Sequence, residues 1–458
     1  MSVVVERAAL VRPPATAATG LQTNWSPDVY ARNVVTAQAW TTRTPATTNG
    51  WNGVCWSPEL GLFVAVGGSG TGNRVMTSPD GVTWAARTSA ADNTWLSVCW
   101  SPELSLFVAV GSSGTGNRIM TSPDGITWTS RTNPEDNSWW RVCWSPELTL
   151  FVAVAASGTN RVMTSPDGVT WTARSAAAAN QWVNVCWSPE LGLFVAVAIT
   201  GTGNRVMTSP DGITWTSRTS PADNDWRGLC WSPELSLFVA VAVSGTGNRV
   251  MTSPDGITWT LRTSPADNDW RGLCWSPALG LFVAIAGSGT GNRVMTSPDG
   301  ITWTLRASAA DRSWQSVCWS PELEMFISVA SGGTSTDVQC VGSYSGVYTP
   351  TLTNETNLAA STAYLTRWFR VADMIHIFGR VNVDPTTTGQ TQLGMSLPVA
   401  SAFAAEEHCG GNATSKAVAG FGAAIYADAT NDRARFEWIA VDTASRDLNF
   451  SFSYRIVA

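Results

Sequence analysis

The sequence has few of the residues from which most catalytic and metal sites are built. Its 458 residues include only 2 His, His376 and His408, which leaves little material for imidazole ligands or acid–base catalysts. Charged residues make up 14% of the chain, the formal net charge is −6, and Lys416 is the single Lys. A weakly acidic chain without a basic run is poorly suited to bind nucleic acid or an anionic membrane surface. We therefore expect no metal ion, no cofactor and no nucleic acid among its ligands.

Long apolar runs are also missing. No stretch reaches the roughly 18 consecutive apolar residues that indicate a membrane-spanning helix, so we expect no membrane insertion. The segment Met1–Arg7 lacks the basic start and the apolar core of a secretory signal peptide, which predicts synthesis in the cytoplasm. In that setting the 9 Cys are expected to be buried thiols rather than disulfides.

The chain is instead rich in Trp, and an internal repeat accounts for the excess. Seven Cys-Trp pairs follow one another at spacings of 43 or 44 residues and begin at Cys55, Cys99, Cys143, Cys186, Cys230, Cys274 and Cys318. Six copies of Ser-Pro-Asp-Gly, each followed by Ile or Val and then Thr-Trp, begin at Ser78, Ser122, Ser165, Ser209, Ser253 and Ser297. A further Trp precedes each Cys by four residues. With Trp40 counted in the first unit, the repeats hold 21 of the 25 Trp.

A period of about 40–45 residues with strand-like content is typical of β-propeller blades. In the unit that starts at Trp226, we expect four short strands, a to d, over 227–232, 237–241, 248–252 and 257–262. A tight turn at Pro254–Gly256 joins the last two strands, and its Gly supplies a positive φ. No stretch shows helical periodicity, so the sequence predicts an all-β protein.

The two ends of the repeat predict how the ring closes. There are seven Cys-Trp pairs but only six Ser-Pro-Asp-Gly turns, so the last unit lacks its outer strand. The segment Trp40–Thr44 matches Trp215–Thr219, which belongs to strand d of another unit. We therefore expect residues 38–44 to supply strand d of the last blade. This pairing closes a seven-bladed propeller with strand a innermost, and no sheet edge is left open.

Composition divides the chain into three parts. Residues 1–35 show little regular pattern and are expected to form an N-terminal arm for docking or attachment. Residues 36–345 form the propeller. Residues 346–458 alternate apolar and polar side chains between short polar loops, which predicts a small antiparallel β-sandwich for assembly or attachment.

Two stretches of the chain resemble known families. The Ser-Pro-Asp-Gly-Ile-Thr-Trp turn resembles the Asp-box, or bacterial neuraminidase repeat, with one residue fewer between Asp and Gly; the resemblance implies a structural turn without chemistry of its own. The C-terminal part resembles the C-terminal domains of bacteriophage tail-fibre and related virion proteins. The matching stretches are Tyr348–Asn357, Phe378–Val383, Met395–Val399, Asp428–Ala434 and Phe450–Tyr454. This resemblance implies a virion structural or receptor-binding protein, often a homotrimer, and brings no catalytic residues.

The b–c and d–a loops are expected on one face of the ring, where their polar side chains form a candidate binding surface. Arg, Asp and Trp supply the polar contacts and the apolar face that a sugar needs. The candidate residues are Arg74, Asp92, Arg118, Asp136, Arg161, Arg205, Asp223, Trp226, Arg249, Asp267, Trp270, Arg293 and Asp311. Repeated weak sites of this kind act through avidity. The alternative is that these Trp residues pack between blades and that the loops are solvated turns.

Other features are assigned structural roles. An Arg in strand d recurs in every unit, from Arg43 to Arg306, and is expected to pair with a loop carboxylate between blades. Sialidase activity is not expected, because the near-identical units single out no pair of carboxylates and Tyr is absent between Tyr30 and Tyr344.

The sequence thus predicts a non-catalytic bacteriophage virion protein of the tail-fibre or receptor-binding type. It is expected to bind host cell-surface glycans multivalently through its propeller. Its expected partners are other virion proteins and further copies of itself, with a trimer favoured. The alternative is a purely structural capsid or tail decoration, or spacer, and a third and more distant alternative is a glycan hydrolase.

Overall fold

A computed structural model describes residues 40–342, 344–371, 374–398, 405–415 and 422–455. The expected N-terminal arm over 1–35 lies outside this range. The described residues form β-strands and a single 3-10 turn, Glu406–His408, which confirms the all-β prediction. No helix in these ranges is long and apolar enough to cross a membrane.

Seven four-stranded antiparallel sheets form the propeller. The first strand of the chain, β1 (Thr41–Arg43), belongs to the seventh blade. The inner strands a are β2 (Trp51–Ser57), β6 (Trp95–Ser101), β10 (Trp139–Ser145), β14 (Trp182–Ser188), β18 (Trp226–Ser232), β22 (Trp270–Ser276) and β26 (Trp314–Ser320). The strands b are β3 (Leu62–Gly67), β7 (Leu106–Gly111), β11 (Leu150–Ala155), β15 (Leu193–Ala198), β19 (Leu237–Ala242), β23 (Leu281–Ala286) and β27 (Met325–Ala330). The strands c are β4 (Val75–Ser78), β8 (Ile119–Ser122), β12 (Val162–Ser165), β16 (Val206–Ser209), β20 (Val250–Ser253), β24 (Val294–Ser297) and β28 (Val338–Gly342). The outer strands d of the first six blades are β5 (Ala85–Arg87), β9 (Thr129–Arg131), β13 (Thr172–Arg174), β17 (Thr216–Arg218), β21 (Thr260–Arg262) and β25 (Thr304–Arg306).

The ring closes as the sequence predicts. Strand β1 pairs antiparallel with β28, with Thr41 opposite Cys340 and Arg43 opposite Val338. The seventh blade therefore has the order β1-β28-β27-β26 and joins the two ends of the propeller. Trp40, just before β1, is buried in the same core as Trp319 and Phe326 of this blade.

The propeller core lies between neighbouring blades. In strand b, residues 238, 240 and 242 pack into the core with strand a of their own blade, whereas Val239 and Val241 pack against Trp270 of the next blade. This alternation follows from the two-residue period of a strand, which lets each sheet bury both faces. The Trp at the start of each strand a is fully buried in every blade.

The c–d turns fold around an Asp. In the fifth blade, Asp255 Oδ1 accepts hydrogen bonds from Ser253 Oγ at 2.9 Å and from the amides of Ile257 and Thr258 at 2.8 and 2.7 Å. Gly256 has a φ of +70°, as predicted for this turn. The other Ser-Pro-Asp-Gly turns repeat this arrangement, so the motif shapes the blade.

The recurring Arg of strand d has a different partner from the expected one. In the fifth blade, Arg262 Nε donates a hydrogen bond to Thr252 Oγ1 of the adjacent strand c at 2.9 Å. The equivalent Arg residues of blades one to four and of blade six bond to the equivalent Thr. Arg43 bonds to Cys340 Sγ. In the first six blades the expectation of a carboxylate partner between blades is therefore wrong. Arg262 stands opposite Val250 in the ladder, and its guanidinium reaches the hydroxyl of Thr252, two residues farther along strand c of the same blade.

The C-terminal residues form a nearly closed antiparallel sheet. Its strands are β29 (Tyr344–Tyr348), β30 (Leu352–Thr356), β31 (Leu358–Ala363), β32 (Thr366–Val371), β33 (Met374–Pro385), β34 (Gly389–Met395), β35 (Cys409–Thr414), β36 (Gly422–Asp428), β37 (Arg433–Ala440) and β38 (Arg446–Arg455). Their order is β29-β32-β33-β38-β35-β36-β37-β34-β30, and β31 pairs with β33. A single sheet thus curls around one core, in which Ile377, Phe436 and Phe452 are buried.

Candidate functional site on one face of the propeller

The face formed by the d–a and b–c loops, here called the d–a face, carries the residues that the sequence singled out. In the fourth blade, Asp223 Oδ1 accepts a hydrogen bond from the Gly203 amide at 2.7 Å and lies 3.8 Å from Arg205 Nε. The Arg205 guanidinium also donates to the Gly201 and Ile199 carbonyl oxygens. Each such pair therefore ties a b–c loop to the following d–a loop.

Four other blades repeat the pair. The Arg Nε to Asp Oδ1 distances are 3.6 Å for Arg74–Asp92, 3.6 Å for Arg118–Asp136, 3.6 Å for Arg249–Asp267 and 3.4 Å for Arg293–Asp311. Arg161 has Ala179 in place of the Asp and keeps the bonds to the Gly158 and Asn180 carbonyl oxygens, which Arg118 makes to its equivalent residues as well. The Arg side chains of the five pairs are only 13–16% exposed, but the Asp side chains are 38–42% exposed. On this rim, the carboxylates are the groups that solvent reaches.

The predicted role of Trp226 and Trp270 is wrong. Both side chains are completely buried, and their indole Nε1 atoms donate to the carbonyl oxygens of Ala222 and Ala266 at 3.2 and 3.1 Å. Each indole packs in the core shared with the preceding blade. Neither ring offers a free face to a sugar, so the alternative of packing between blades is the correct interpretation for these residues.

A cavity of about 190 Å³ opens at the propeller axis. It is lined by the second residue of strand a from every blade, namely Asn52, Leu96, Trp140, Val183, Arg227, Arg271 and Gln315. Arg141, Asn184 and Ser331 complete the lining. A contribution from all seven blades places the cavity on the axis of the ring.

A β-bulge explains why this residue lines the cavity. In the fifth blade, the pairing of strands a and b shifts register between Trp226 and Gly228, so that Arg227 is left out of the ladder. The same shift occurs in the other six blades. A bulge redirects the side chain of its extra residue, and here that residue lines the axial cavity.

Sequence reasoning missed the axial residues, although a signal was present. The seven units are near copies in their cores and turns, yet the residue after the first Trp of strand a is Asn, Leu, Trp, Val, Arg, Arg or Gln. Six residue types at one position of an otherwise repetitive sequence indicate that the blades are not equivalent there. The near-identity of the units therefore does not extend to this position.

Two neighbouring blades bring the guanidinium groups of Arg227 and Arg271 to the cavity. The Cζ atom of Arg227 lies 5.1 Å from the ring centre of Trp140, which stands two blades away. Arg271 Nη1 donates to Ser313 Oγ at 3.1 Å, and Arg271 Nη2 lies 3.8 Å from Asp269 Oδ2. The pKa of Arg227 lies below its ordinary value, mainly because the guanidinium is partly buried and secondly because of the positive charge of Arg271. Without a ligand, the protein therefore keeps the positive charges of Arg227 and Arg271 close together in a partly desolvated cavity.

The Cys of the seven Cys-Trp pairs form a ring around the same axis. All nine Cys are free thiols, as expected, but only Cys340 and Cys409 are buried, and the ring Cys are half-buried. Burial raises the pKa of every one of these thiols, to about 12 for Cys99 and Cys274 and about 11 for Cys186. The charge of Arg141 opposes that rise at all seven. One cation can act on thiols from seven blades only if its guanidinium lies near the axis.

The polar side chains of the cavity lining carry guanidinium, amide and hydroxyl groups. None of its described residues carries a carboxylate, imidazole or phenol, the groups that serve as general acids, bases or nucleophiles in glycoside hydrolysis. Across the described ranges, no three His, Cys, Asp or Glu side chains are grouped so that they could hold a metal ion. Guanidinium and amide donors can bind anions and hydroxyls.

No protein family and no curated protein matches this sequence. Among solved structures, a GH74 enzyme of Niastella koreensis has a TM-score of 0.52 at 12% identity, covering 78% of this chain and 72% of that one. Hydrazine synthase of Kuenenia stuttgartiensis has a TM-score of 0.51 at 12% identity over 66% of this chain and 97% of that one. A chain of the mitotic checkpoint complex has a TM-score of 0.50 at 14% identity, covering 75% of this chain and 100% of that one.

The chain has the β-propeller fold. At 12–14% identity the likeness to these structures concerns architecture alone, and what those proteins do is not carried over with it. The resemblances to the Asp-box and to virion proteins stay predictions.

Proposed function

We propose that this chain is a non-catalytic attachment protein that binds a carbohydrate through the d–a face of its propeller. The observation that carries the proposal is the concentration of sequence differences at the axial cavity. The cores and c–d turns are near copies from blade to blade, whereas the seven axial side chains include six residue types. An asymmetric, partly polar cavity in an otherwise repetitive protein is the most natural place for a specific ligand.

The exposed rim carboxylates extend this site. Asp223 and Asp267 are each 39% exposed, and each accepts a hydrogen bond from an amide of the neighbouring b–c loop through Oδ1. An oligosaccharide seated in the cavity and running outward over the rim meets these carboxylates, which can accept hydrogen bonds from its hydroxyls. The rim then adds contacts to a ligand held at the axis, in place of repeated and independent weak sites.

We propose that this attachment takes place on a bacteriophage virion. The C-terminal sheet domain would assemble with other virion proteins or with further copies of the chain, and we favour a trimer. Support comes from the stretches that resemble virion proteins, of which Asp428–Ala434 lies in an ion-pair cluster of that domain. The Asp428 carboxylate, 2% exposed, binds Arg433 and Arg435 at 2.9 and 2.8 Å. Removing one partner of such a buried cluster would leave an uncompensated charge, so the cluster ties these strands together and does not by itself define a partner.

A glycan array probed with the full chain tests the proposed function. We expect a restricted set of glycans to be retained and fluorogenic glycosides to be left intact. The double variant Asp223→Ala with Asp267→Ala is expected to weaken the binding of oligosaccharides and to leave that of single sugars unchanged. If no glycan is retained, the second candidate function, a structural spacer, is favoured. Its support is that the Arg and Asp side chains of the rim already bond to one another and to the loops. Turnover of a glycoside favours a hydrolase.

A further inference from the structure

Two guanidinium groups at the axial cavity lack acceptors. No described residue forms an ion pair with Arg141 or Arg227 or accepts a hydrogen bond from either guanidinium group. Asn184 Nδ2 donates to the backbone carbonyl oxygen of Arg227 at 2.7 Å, and the Arg227 guanidinium lies against the Trp140 ring. The Nε atoms of Arg227 and Arg271 are buried and have no hydrogen-bond partner among the described residues. A buried donor without an acceptor is costly, and more so when it is charged.

The carboxylates nearest to this cluster are largely engaged elsewhere. Asp225 Oδ1 lies 2.8 Å from Arg205 Nη1, and Asp269 is shared between Arg249 at 3.6 Å and Arg271 at 3.8 Å. Both Asp residues raise the pKa of Arg227, but burial and the charge of Arg271 outweigh them. The positive charge at the cavity is therefore only partly balanced by the protein itself.

We propose that the axial cavity is an anion site, built to receive the carboxylate or sulfate group of an acidic sugar. Arg227 and Arg141 present planar forks that match the paired oxygens of such a group. Trp140 holds Arg227 in place from across the cavity. At about 190 Å³, the cavity far exceeds the roughly 10–15 Å³ that one water molecule needs. The assignment to a sugar, rather than to a free anion, rests on the proposed function.

The test is calorimetric titration of the full chain with four probes. The probes are trigalacturonate, a sulfated galactose trisaccharide, neutral galactotriose and inorganic sulfate. We expect one acidic trisaccharide bound per chain, neutral galactotriose to bind at least about tenfold more weakly, and the acidic affinity to fall with added salt. The two acidic probes separate carboxylate from sulfate as the preferred group.

Three variants locate the site. Arg227→Gln and Arg141→Gln are expected to weaken acidic binding at least about tenfold. Arg218→Gln is the matched control, because it removes the same charge from strand d of the fourth blade, where Arg218 bonds to Thr208, and it should leave binding unchanged. Without ligand, Arg227→Gln should unfold at the same or a higher temperature than the parent chain, because it relieves repulsion from Arg271. A merely structural Arg227 would give a lower temperature.

The outcomes separate this inference from the proposed function. If galactotriose binds as tightly as trigalacturonate, or if both axial variants bind acidic sugars normally, the anion site is wrong while a glycan-binding propeller stands. If sulfate binds in an Arg227-dependent manner but no glycan is retained on the array, the anion site stands and the attachment function is wrong. A stoichiometry near five acidic sugars per chain, one for each Arg–Asp pair, overturns the axial assignment in favour of the rim.

Discussion

The indole Nε1 of Trp56 donates a hydrogen bond to Glu322 Oε2 at 2.6 Å and so joins the first blade to the seventh. Five other blade interfaces make the equivalent bond at 2.6–2.7 Å, namely Trp100–Glu59, Trp144–Glu103, Trp187–Glu147, Trp231–Glu190 and Trp275–Glu234. The remaining interface lacks it, because Ala278 occupies the position of the Glu. Trp319 Nε1 is accordingly buried without an acceptor among the described residues.

Restoring this bond should stabilise the propeller. In Ala278→Glu, the new carboxylate can accept a hydrogen bond from Trp319 Nε1, as the equivalent Glu does at each of the other six interfaces. A hydrogen bond to a charged group is worth about 1.5–3 kcal/mol. We expect the denaturant midpoint of the propeller to rise, as followed by Trp fluorescence. Glu234→Ala, which removes the bond to Trp275, is the reciprocal variant and should lower it. Equal midpoints for Ala278→Glu and the parent chain would show that this interface gains nothing from the bond.

Ring closure should depend on β1. A chain that begins at residue 45 loses Trp40 from the core and leaves β28 as an open edge, so it should unfold at a lower temperature and associate through that edge. A chain that begins at residue 40 keeps both features and serves as the control. Thermal unfolding and light scattering compare the two. Equal stability and equal solubility of the two chains would contradict closure by this strand.

The ring of Cys should be chemically inert in the folded protein. Thiolates, not thiols, react with iodoacetamide, and burial keeps the pKa of Cys99 and Cys274 at about 12. We expect no alkylation of the ring at pH 8 and alkylation of all 9 Cys after denaturation, as counted by mass spectrometry. Arg141→Gln should make the ring thiols less reactive still. Rapid labelling of several ring Cys in the native protein would be inconsistent with this arrangement.

The c–d turns should make the propeller sensitive to acid. Burial acts to raise the pKa of the Asp in five of these turns, but hydrogen bonds from two amides and a Ser hydroxyl outweigh it, so each pKa lies below the ordinary value; these residues are Asp124, Asp167, Asp211, Asp255 and Asp299. A carboxyl with a lowered folded-state pKa stabilises the fold above its unfolded pKa, about 3.9, and this contribution is lost as the pH falls through the folded value.

Thermal midpoints measured from pH 7 to pH 2 should therefore fall steeply below about pH 4. A variant with Asn at all five turn positions should be less stable at neutral pH and lose less on acidification. If the thermal midpoints of the parent chain and of the variant fell by the same amount between pH 4 and pH 2, these carboxylates would not govern acid unfolding.

The sequence predicts the blades well because every repeat buries the same side chains in the same order. Ring closure is predictable as well, since Trp40–Thr44 reads as a displaced strand d. The axial cavity was not found because it depends on a β-bulge, which removes Arg227 and its equivalents from the alternation of the strand. The burial of Trp226 was likewise missed, since residues beside a polar loop can face either solvent or the next blade.

The C-terminal strands were predicted from alternation, but their pairing was not. A two-residue period identifies which side chains are buried and says nothing about which strands are neighbours. The order in which β38 lies between β33 and β35 unites residues far apart in the chain, such as Ile377 and Phe452. The strands therefore form one curled sheet.

The most direct test of this account is a structure of the full chain with a bound acidic trisaccharide. We predict density for its carboxylate or sulfate group in the axial cavity, within hydrogen-bonding distance of Arg227 and Arg141, with the remaining sugars directed toward Asp223 and Asp267. Density confined to the outer rim of the blades or to the C-terminal sheet, with the axial cavity holding only water, would contradict it.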